Sequence, residues 1–251
     1  MGRTSWITCR DETTWLTTVL YSTNKLNVGL GLGFGRNSLY PAYHGRVVCW
    51  GLANHSHLAV PEPNRGFVMV ASGGAHCLGL KADGSVVAWG KNELGQCLVP
   101  RPNRDFVSVA AGGWHSLALR ASGRIEAWGH NAHKQCVVPE PNDGFIDIAA
   151  GWVFSLGLRD DGRVVLWDAS RHGLSLPSRL NGDFVSIETG DWHCVALRRD
   201  GRVVCWGDNG FGQCKVPEPN RDFVSIAVVG TSNFGLKSDG CLVNWGKPPV
   251  S

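Results

Sequence analysis

The chain has 251 residues, of which 43% are hydrophobic and 18% are charged, and its formal net charge is +3. This hydrophobic fraction excludes a disordered chain, and no apolar run reaches the roughly 18 residues that a transmembrane helix needs. The small net charge favours neither a nucleic acid nor a membrane as partner. The chain holds 33 glycines and 11 tryptophans but only 2 methionines, a mixture typical of short strands joined by tight turns.

A period of 39 residues runs through most of the chain. Tryptophan, glycine and phenylalanine all recur at this spacing. The tryptophans are Trp50, Trp89, Trp128, Trp167, Trp206 and Trp245, the glycines are Gly45, Gly84, Gly123, Gly162, Gly201 and Gly240, and the phenylalanines are Phe67, Phe106, Phe145, Phe184 and Phe223. Self-similarity at a fixed period of about 20–50 residues is typical of solenoids and propellers. The sequence therefore predicts a repeated β scaffold.

Each repeat is predicted to contain four short strands. In the repeat 184–222 we expect them at 184–187, 193–198, 202–206 and, most weakly, 213–216. Asp200-Gly201 lies between the second and third strands, and Asp-Gly between apolar runs indicates a β-hairpin. The third strand is apolar on both faces, so each sheet must stack between like sheets, as propeller blades do. We predict an all-β fold, a closed propeller ring of six recognisable four-stranded blades.

The two ends of the chain are less regular. Residues 1–27 show no period, and we divide the chain into this irregular N-terminal segment and a propeller repeat domain over 28–251. The sixth repeat lacks a fourth strand after Trp245, and we expect the β-former-rich segment 13–21 to supply it and close the ring. A degenerate seventh blade within 1–40 and a truncated chain are the competing interpretations.

The repeat resembles that of the regulator-of-chromosome-condensation family. The likeness lies in Gly-Trp-His-Ser-Leu-Ala-Leu at 113–119, in the Asp-Gly turn, and in Trp-Gly followed by Asn and Gly-Gln at 89–96. The resemblance implies a β-propeller, usually of seven blades, and the family's founding member is a guanine-nucleotide exchange factor for a small GTPase. The short, insertion-free units look more like the bacterial branch, which includes a propeller-shaped inhibitor of β-lactamases that only binds its target.

Cysteine and histidine follow the repeat and predict no catalytic residue, cofactor site or metal site. Cysteines of one repeat phase lie at least ~10 Å apart in neighbouring blades, beyond the ~7 Å between Cα atoms that a disulfide spans. We therefore expect free thiols, which together with the absence of a signal peptide favours a cytoplasmic protein. His76, His115 and His193 share a phase and are expected to bond to a neighbouring backbone group. His55, His57 and His172 are expected in solvated loops.

Loops that differ between repeats are the candidate functional surface. The residue before the recurrent histidine and the stretch after Trp-Gly both vary, and by symmetry equivalent loops emerge on one face. Aromatic residues in such a ring favour protein binding. The candidate partner-binding residues are Asn92, Trp114, His130, His133, Trp192, Asp208 and Phe211.

We predict a monomeric, non-enzymatic interaction propeller that binds a protein partner of unknown identity through the loops of one face. Exchange-factor activity toward a small GTPase is the alternative that the resemblance implies. For Trp114 and Trp192 the alternative role is packing between blades, since aromatic residues also dominate cores.

Overall fold

The structure is a computed structural model. It describes residues 59–167, 174–175 and 180–247, and, from the start of the chain, four strands within 4–26 and 47–49. The regular structure of these residues is β-strand, with no α-helix among them. The all-β prediction is confirmed.

The first four strands form one sheet. They are β1 (Thr4–Arg10), β2 (Trp15–Thr23), β3 (Lys25–Leu26) and β4 (Val47–Cys49), in the order β3-β2-β1-β4. Strand β1 pairs antiparallel with β2 along its whole length and with β4 at residues 7–9. Of the segment 13–21 that we expected to close the ring, residues 13 and 14 lie outside the described residues and the rest belongs to β2. Its closing role stays a prediction.

Five three-stranded antiparallel sheets follow, and we number them blades 1 to 5. Blade 1 contains β5 (Phe67–Ser72), β6 (His76–Lys81) and β7 (Val86–Gly90), and blade 2 contains β8 (Phe106–Ala111), β9 (His115–Arg120) and β10 (Ile125–Gly129). Blade 3 contains β11 (Phe145–Ala150), β12 (Ser155–Arg159) and β13 (Val164–Trp167). Blade 4 contains β14 (Phe184–Thr189), β15 (His193–Arg198) and β16 (Val203–Gly207), and blade 5 contains β17 (Phe223–Val229), β18 (Ser232–Lys237) and β19 (Leu242–Gly246).

The first strand of each blade is its inner strand, because successive first strands pack against one another from β5 through to β17. Both faces of each sheet are apolar, so side chains of adjacent blades interdigitate. Leu158 of blade 3, for example, is buried in one cluster with Phe184 and Trp206 of blade 4. The core therefore lies between the blades, as in a propeller.

Residues 213–216 do not form the predicted fourth strand; they form a turn and an irregular segment. An asparagine side chain serves the outer strand instead. Asn220 accepts a hydrogen bond from the Val203 nitrogen at 2.8 Å and donates one to the Val203 oxygen at 2.9 Å. The same two bonds join Asn64 to Val47, Asn103 to Val86, Asn142 to Ile125 and Asn181 to Val164.

The reason is local, because a proline directly precedes Asn64, Asn103, Asn142 and Asn220 and lacks the N–H that a strand ladder requires. Six four-stranded blades and a closed ring are accordingly not confirmed; repeated three-stranded blades are.

The two ends of the blades are distinct surfaces. We call one end the loop face. It carries the connections between inner and middle strands (73–75, 112–114, 151–154, 190–192 and 230–231) and the loops after the outer strands (91–98, 130–137 and 208–215). We call the other end the turn face. It carries the hairpin turns between middle and outer strands (82–85, 121–124, 160–163, 199–202 and 238–241) and the start of each inner strand.

Candidate functional site

Hydrogen bonds beneath the loop face join each of several blades to the next. A buried histidine at the start of a middle strand bonds through Nε2 to a side chain of the following blade. The pairs are His76 with Ser116 at 2.8 Å, His115 with Ser155 at 2.9 Å, and His193 with Asn233 at 2.7 Å. The partner of each Nε2 is a side chain, where the sequence predicted a backbone group. These histidines connect blades, which makes them part of the framework.

His115 and His193 are held neutral at pH 7. Burial, with contributions from the neighbouring His76 and His130, lowers the pKa of His115 to about 3. Burial likewise lowers the pKa of His193. The backbone makes room for the ring, because a Cβ on Gly112 would lie 2.2 Å from the His115 ring. A neutral, enclosed imidazole of this kind stabilises the fold and offers no exposed acid or base.

Each loop after an outer strand is fixed by its own side chains. In blade 4 the buried Gln213 accepts a hydrogen bond from the Phe211 nitrogen at 2.8 Å and donates one to Asp208 at 2.9 Å. Asn209 accepts from the Cys214 nitrogen at 2.9 Å. The loop therefore has a defined shape before any partner arrives.

Three candidate residues belong to this internal framework. Asn92 accepts a hydrogen bond from the Cys97 nitrogen at 2.9 Å, as Asn209 does in blade 4. His130 Nδ1 lies 2.9 Å from the Gln135 amide nitrogen, in the role that Asp208 has in blade 4. Asn92 and Asp208 are exposed, but their polar atoms are already used to hold the loops.

The structure brings the two candidate tryptophans beside these loops. The Trp114 oxygen accepts a hydrogen bond from the His130 nitrogen at 2.9 Å, and the Trp192 oxygen accepts one from the Asp208 nitrogen at 2.8 Å. Both tryptophans are half-buried on the loop face. Lys91 of blade 1 lies over the Trp114 ring of blade 2, 5.2 Å from its centroid. The seven candidates thus lie on the loop face. The Trp114–His130 and Trp192–Asp208 contacts each lie within one blade, whereas the Lys91–Trp114 contact joins blades 1 and 2.

Phe211 is the exposed aromatic residue of this face. It is 55% exposed, and Lys247 of blade 5 lies 5.0 Å from its ring centroid. His133 holds the equivalent position in blade 2, with its ring 5.8 Å from that of His130. An aromatic at a loop tip whose backbone is already fixed is available to a partner.

Sequence reasoning missed three aliphatic residues on the loop face. Leu94, equivalent to Phe211, is 45% exposed, and Leu98 and Val137 are 66% and 53% exposed. The signal that could have found Leu94 is an apolar residue directly before a loop glycine, as in Leu94-Gly95 and Phe211-Gly212.

Among the described carboxyl groups, Glu188 has a strongly raised pKa, and it lies away from the loops. Glu188 on the inner strand β14 stands where other blades have alanine, for example Ala110. Burial raises the pKa of Glu188 to about 8, and the negative charge of Asp147 on the adjacent inner strand contributes. Asp147 accepts a hydrogen bond from the nitrogen of Ile148. The carboxyl group is mainly protonated at neutral pH.

Within the described parts of the chain no group of three or more His, Cys, Asp or Glu side chains fits a metal ion. The same residues include no helix that is long and apolar enough to cross a membrane. His55, His57 and His172 lie outside the described residues. The other residues of the blade 3 loop at 168–173 lie outside them as well.

Three segments match the family model described as the regulator of chromosome condensation (RCC1) repeat, at residues 67–96, 106–135 and 184–213. Each match begins at the first residue of an inner strand and ends at the buried glutamine that fixes the following loop, namely Gln96, Gln135 or Gln213. No curated protein sequence matches the chain.

Several solved structures share the fold. The CRINKLY WD40 ectodomain of the Arabidopsis thaliana receptor kinase ACR4 is 23% identical, with a TM-score of 0.60 over 82% of this chain and 76% of that chain. Prp20p from Saccharomyces cerevisiae, described with its binding properties to Gsp1p and histones, is 23% identical, with a TM-score of 0.59 over 74% of this chain and 58% of its own. Human WBSCR16 is 18% identical, with a TM-score of 0.61 over 100% of this chain and 76% of its own.

The chain therefore spans less than two thirds of the length of Prp20p. At these identities the likeness shows the fold alone.

Proposed function

Because the chain carries repeats of the regulator-of-chromosome-condensation (RCC1) family, we propose that it is a non-enzymatic propeller that binds a protein partner through its loop face. The observation that carries the proposal is the exposed Phe211, held at the tip of a loop whose own hydrogen bonds are already made. A preformed loop loses little conformational entropy on binding, which favours affinity.

The chemistry of the loop face matches that of a protein interface. Phe211, Leu94 and Leu98 are exposed apolar residues, and aromatic and aliphatic anchors supply most of the energy at the centre of interfaces. In the loop that carries Leu94 and Leu98, Lys91 pairs with Glu93 at 3.1 Å. Protein interfaces combine apolar residues with charged and polar ones of this kind.

The proposal includes an architecture. The sheet of β1 to β4 stands before blade 1 in the chain and contains the outer strand of the first repeat, β4. We place it as the sixth member of a closed ring in a monomeric, cytoplasmic protein, so that the N-terminal segment 1–27 contributes β1 to β3 to the ring of the repeat domain over 28–251. This arrangement leaves both the loop face and the turn face open to solvent.

A second candidate function is nucleotide exchange on a small GTPase. One observation favours it: Prp20p, which has a similar fold, was described with its binding properties to Gsp1p. The 39-residue spacing leaves no room for a long insertion between blades, so we rank exchange below simple binding. Release of labelled GDP from small GTPases separates the two, because only an exchange factor accelerates it.

The experiment for the main proposal is affinity capture with matched surface variants. The double variant Leu94→Ala/Phe211→Ala removes apolar side chains from the loop face, and Val185→Ala/Val224→Ala does the same on the turn face. We expect proteins captured from the native extract by the wild type to be lost with the loop-face variant and kept with the turn-face variant. Loss with the turn-face variant alone contradicts the proposal.

Hydrogen exchange of the complex locates the contact independently. We expect binding of the captured partner to slow amide exchange in the loops 91–98, 130–137 and 208–215. Equal exchange in these loops with and without partner, together with slowing in the hairpin turns, places the contact on the turn face and overturns the proposal.

A further inference from the structure

Two thiols meet at the base of the blade 4 loop. Cys205 lies in the outer strand β16, and Cys214 lies at the end of the loop that follows it. Their sulfur atoms are 3.1 Å apart, and the Cys205 thiol can donate a hydrogen bond either to Cys214 or to the Gln213 oxygen, which also lies 3.1 Å away. A disulfide bond is about 2 Å long, so bond formation needs the sulfurs to approach by only about 1 Å.

The other blades show which of the two cysteines is the unusual one. Cys97 and Cys136 occupy the place of Cys214 in blades 1 and 2, and each sulfur lies 3.3 Å from a backbone oxygen of its loop. Cys214 makes the same contact, 3.4 Å from the Asp208 oxygen. Alanine stands opposite Cys97 and Cys136, at positions 88 and 127. Blade 4 is therefore the described blade in which this loop cysteine faces a second thiol.

We propose that Cys205 and Cys214 are a redox modification site, at which a peroxide oxidises Cys214 and Cys205 converts the product to a disulfide. The site is defined by the contact between the two sulfurs and by the exposure of the loop that carries Cys214. The prediction of free thiols missed this contact, because it was argued from cysteines of the same phase. This pair joins a strand to the loop that follows it.

The reaction balances with the peroxide as oxidant. The Cys214 thiolate attacks one peroxide oxygen, the O–O bond breaks, an S–O bond forms, and the departing hydroxide takes up a proton to give water. The Cys205 sulfur then attacks the Cys214 sulfur, an S–S bond forms, the S–O bond breaks, and the hydroxide leaves with the Cys205 proton as a second water. The two sulfurs lose two electrons in total, and the peroxide gains them.

The surroundings assign these separate roles. The hydrogen bond that Cys214 accepts from Cys205 lowers the Cys214 pKa, against the opposing effects of burial and Asp208. Donating that bond raises the pKa of Cys205, and burial adds to the shift. The thiolate is the nucleophile in such chemistry, so Cys214 reacts first and Cys205 resolves.

The disulfide would close a covalent ring that contains the loop with the exposed Phe211. The segment between the two cysteines, 206–213, includes Asp208 and Phe211. Closing it draws the two ends of the segment about 1 Å closer and so shifts the loop that carries Phe211 relative to β16, which changes affinity for a partner of the loop face. This consequence rests on the proposed function; the disulfide itself does not.

The test is a peroxide titration of the folded full-length chain, followed by alkylation and peptide mass measurement. We expect a linked Cys205–Cys214 peptide lighter by two hydrogen atoms, reversed by dithiothreitol. At the same dose the loss of free thiol at Cys214 should exceed that at Cys97 by at least about 10-fold, because a lowered pKa increases thiolate reactivity. Equal loss at the two positions, or oxidation of Cys214 without loss of Cys205, overturns the proposal.

Matched variants keep the result interpretable. Cys205→Ala installs the residue that blades 1 and 2 carry, so it should fold, and in it Cys214 should react no faster than Cys97. The buried Cys194 is a competing thiol, and Cys194→Ser, which installs the residue of position 116, should leave the disulfide intact. Loss of the disulfide in Cys194→Ser overturns the assignment of partners. The disulfide is measured by mass without any partner, so its failure is distinct from failure of the proposed function.

Discussion

The turn face and the loop face are built by the same repeat, but the residues of the turn face vary less between blades than those of the loop face. At the turn face four successive junctions share one backbone hydrogen bond of 3.0 Å, from a phenylalanine nitrogen to a glycine oxygen in the preceding hairpin turn. The pairs are Phe106 with Gly84, Phe145 with Gly123, Phe184 with Gly162 and Phe223 with Gly201. At the loop face the supporting hydrogen bonds also recur, but the residue they present is Leu94, His133 or Phe211.

Exposed apolar residues occur on both faces, so exposure does not distinguish them. At the turn face five of them hold one position in blades 1 to 5 and are between 37% and 55% exposed, namely Val68, Val107, Ile146, Val185 and Val224. Leu242 of blade 5, 65% exposed at the start of β19, is the exception, since the other blades bury a valine or isoleucine there. An apolar residue that recurs at the same position of every blade is explained by the structure of the blade. A residue whose type changes between blades, while the hydrogen bonds of its loop stay the same, needs another explanation, and partner recognition supplies one.

The largest change in the free energy of unfolding is expected for a substitution in the core between blades. Trp206→Ala should lower the free energy of unfolding by about 3–5 kcal/mol, because it removes a buried indole from between blades 3 and 4. Phe211→Ala should lower it by less than about 0.5 kcal/mol, as exposed substitutions do. Urea unfolding measures both. Equal destabilisation by the two variants assigns the Phe211 loop to the framework and contradicts the comparison.

A conservative substitution sharpens this result. The Trp128 indole donates to the Gln96 oxygen at 2.9 Å, whereas the Trp206 indole nitrogen is buried without a partner among the described residues. Trp128→Phe should therefore cost about 1 kcal/mol more than Trp206→Phe, the usual contribution of one hydrogen bond.

The second prediction compares two asparagines, one at the edge of the outer strand and one in the loop. Asn220→Ala removes both hydrogen bonds to Val203 and should cost about 1–3 kcal/mol, because it leaves the backbone of β16 unsatisfied. Asn209→Ala removes one bond at an exposed loop and should cost less than about 1 kcal/mol. Thermal unfolding of the two variants gives the order, and the reverse order contradicts the account.

The third prediction concerns the histidines that join the blades. The folded-state pKa of His115 is about 3, below the unfolded value of about 6.5. Between these pH values His115 is protonated in the unfolded chain but not in the folded one. The free energy of unfolding therefore falls as the pH falls below 6.5, by about 1.4 kcal/mol per pH unit for one such group. His115→Phe installs the residue that blade 3 carries as Phe154. It should reduce this pH dependence by the contribution of one titrating group, about 1.4 kcal/mol per pH unit. An unchanged slope contradicts a buried neutral His115.

A structural feature could be predicted from the sequence where it recurs in every repeat. The inner, middle and outer strands were predicted, because the positions of Phe184, Gly201 and Trp206 hold the same residue types in all of blades 1 to 5. The fourth strand was wrong, since the apolar residues after Gln213 look like a strand while the following prolines prevent one. The side chain of Asn220 satisfies the outer strand, and a side chain that replaces a strand leaves no hydrophobic pattern.

The candidate residues were chosen because their positions vary between repeats, and their role in partner binding stays a prediction; their contacts within the loops were not predicted. Asn92 and Asp208 are polar loop residues, and nothing in the sequence says that their atoms are used within the loop. The contact between Cys205 and Cys214 was also missed, because it depends on how the loop returns to its strand.

The central claim is that the loop face, and not the turn face, binds the partner. Titration of the captured partner against Phe211→Ala and Val185→Ala tests it most directly, since both variants truncate one exposed apolar side chain. We expect Phe211→Ala to weaken binding by about 1–3 kcal/mol, or about 5- to 150-fold in Kd, and Val185→Ala to change Kd by less than about 2-fold. Weaker binding by Val185→Ala with Phe211→Ala unchanged contradicts the claim.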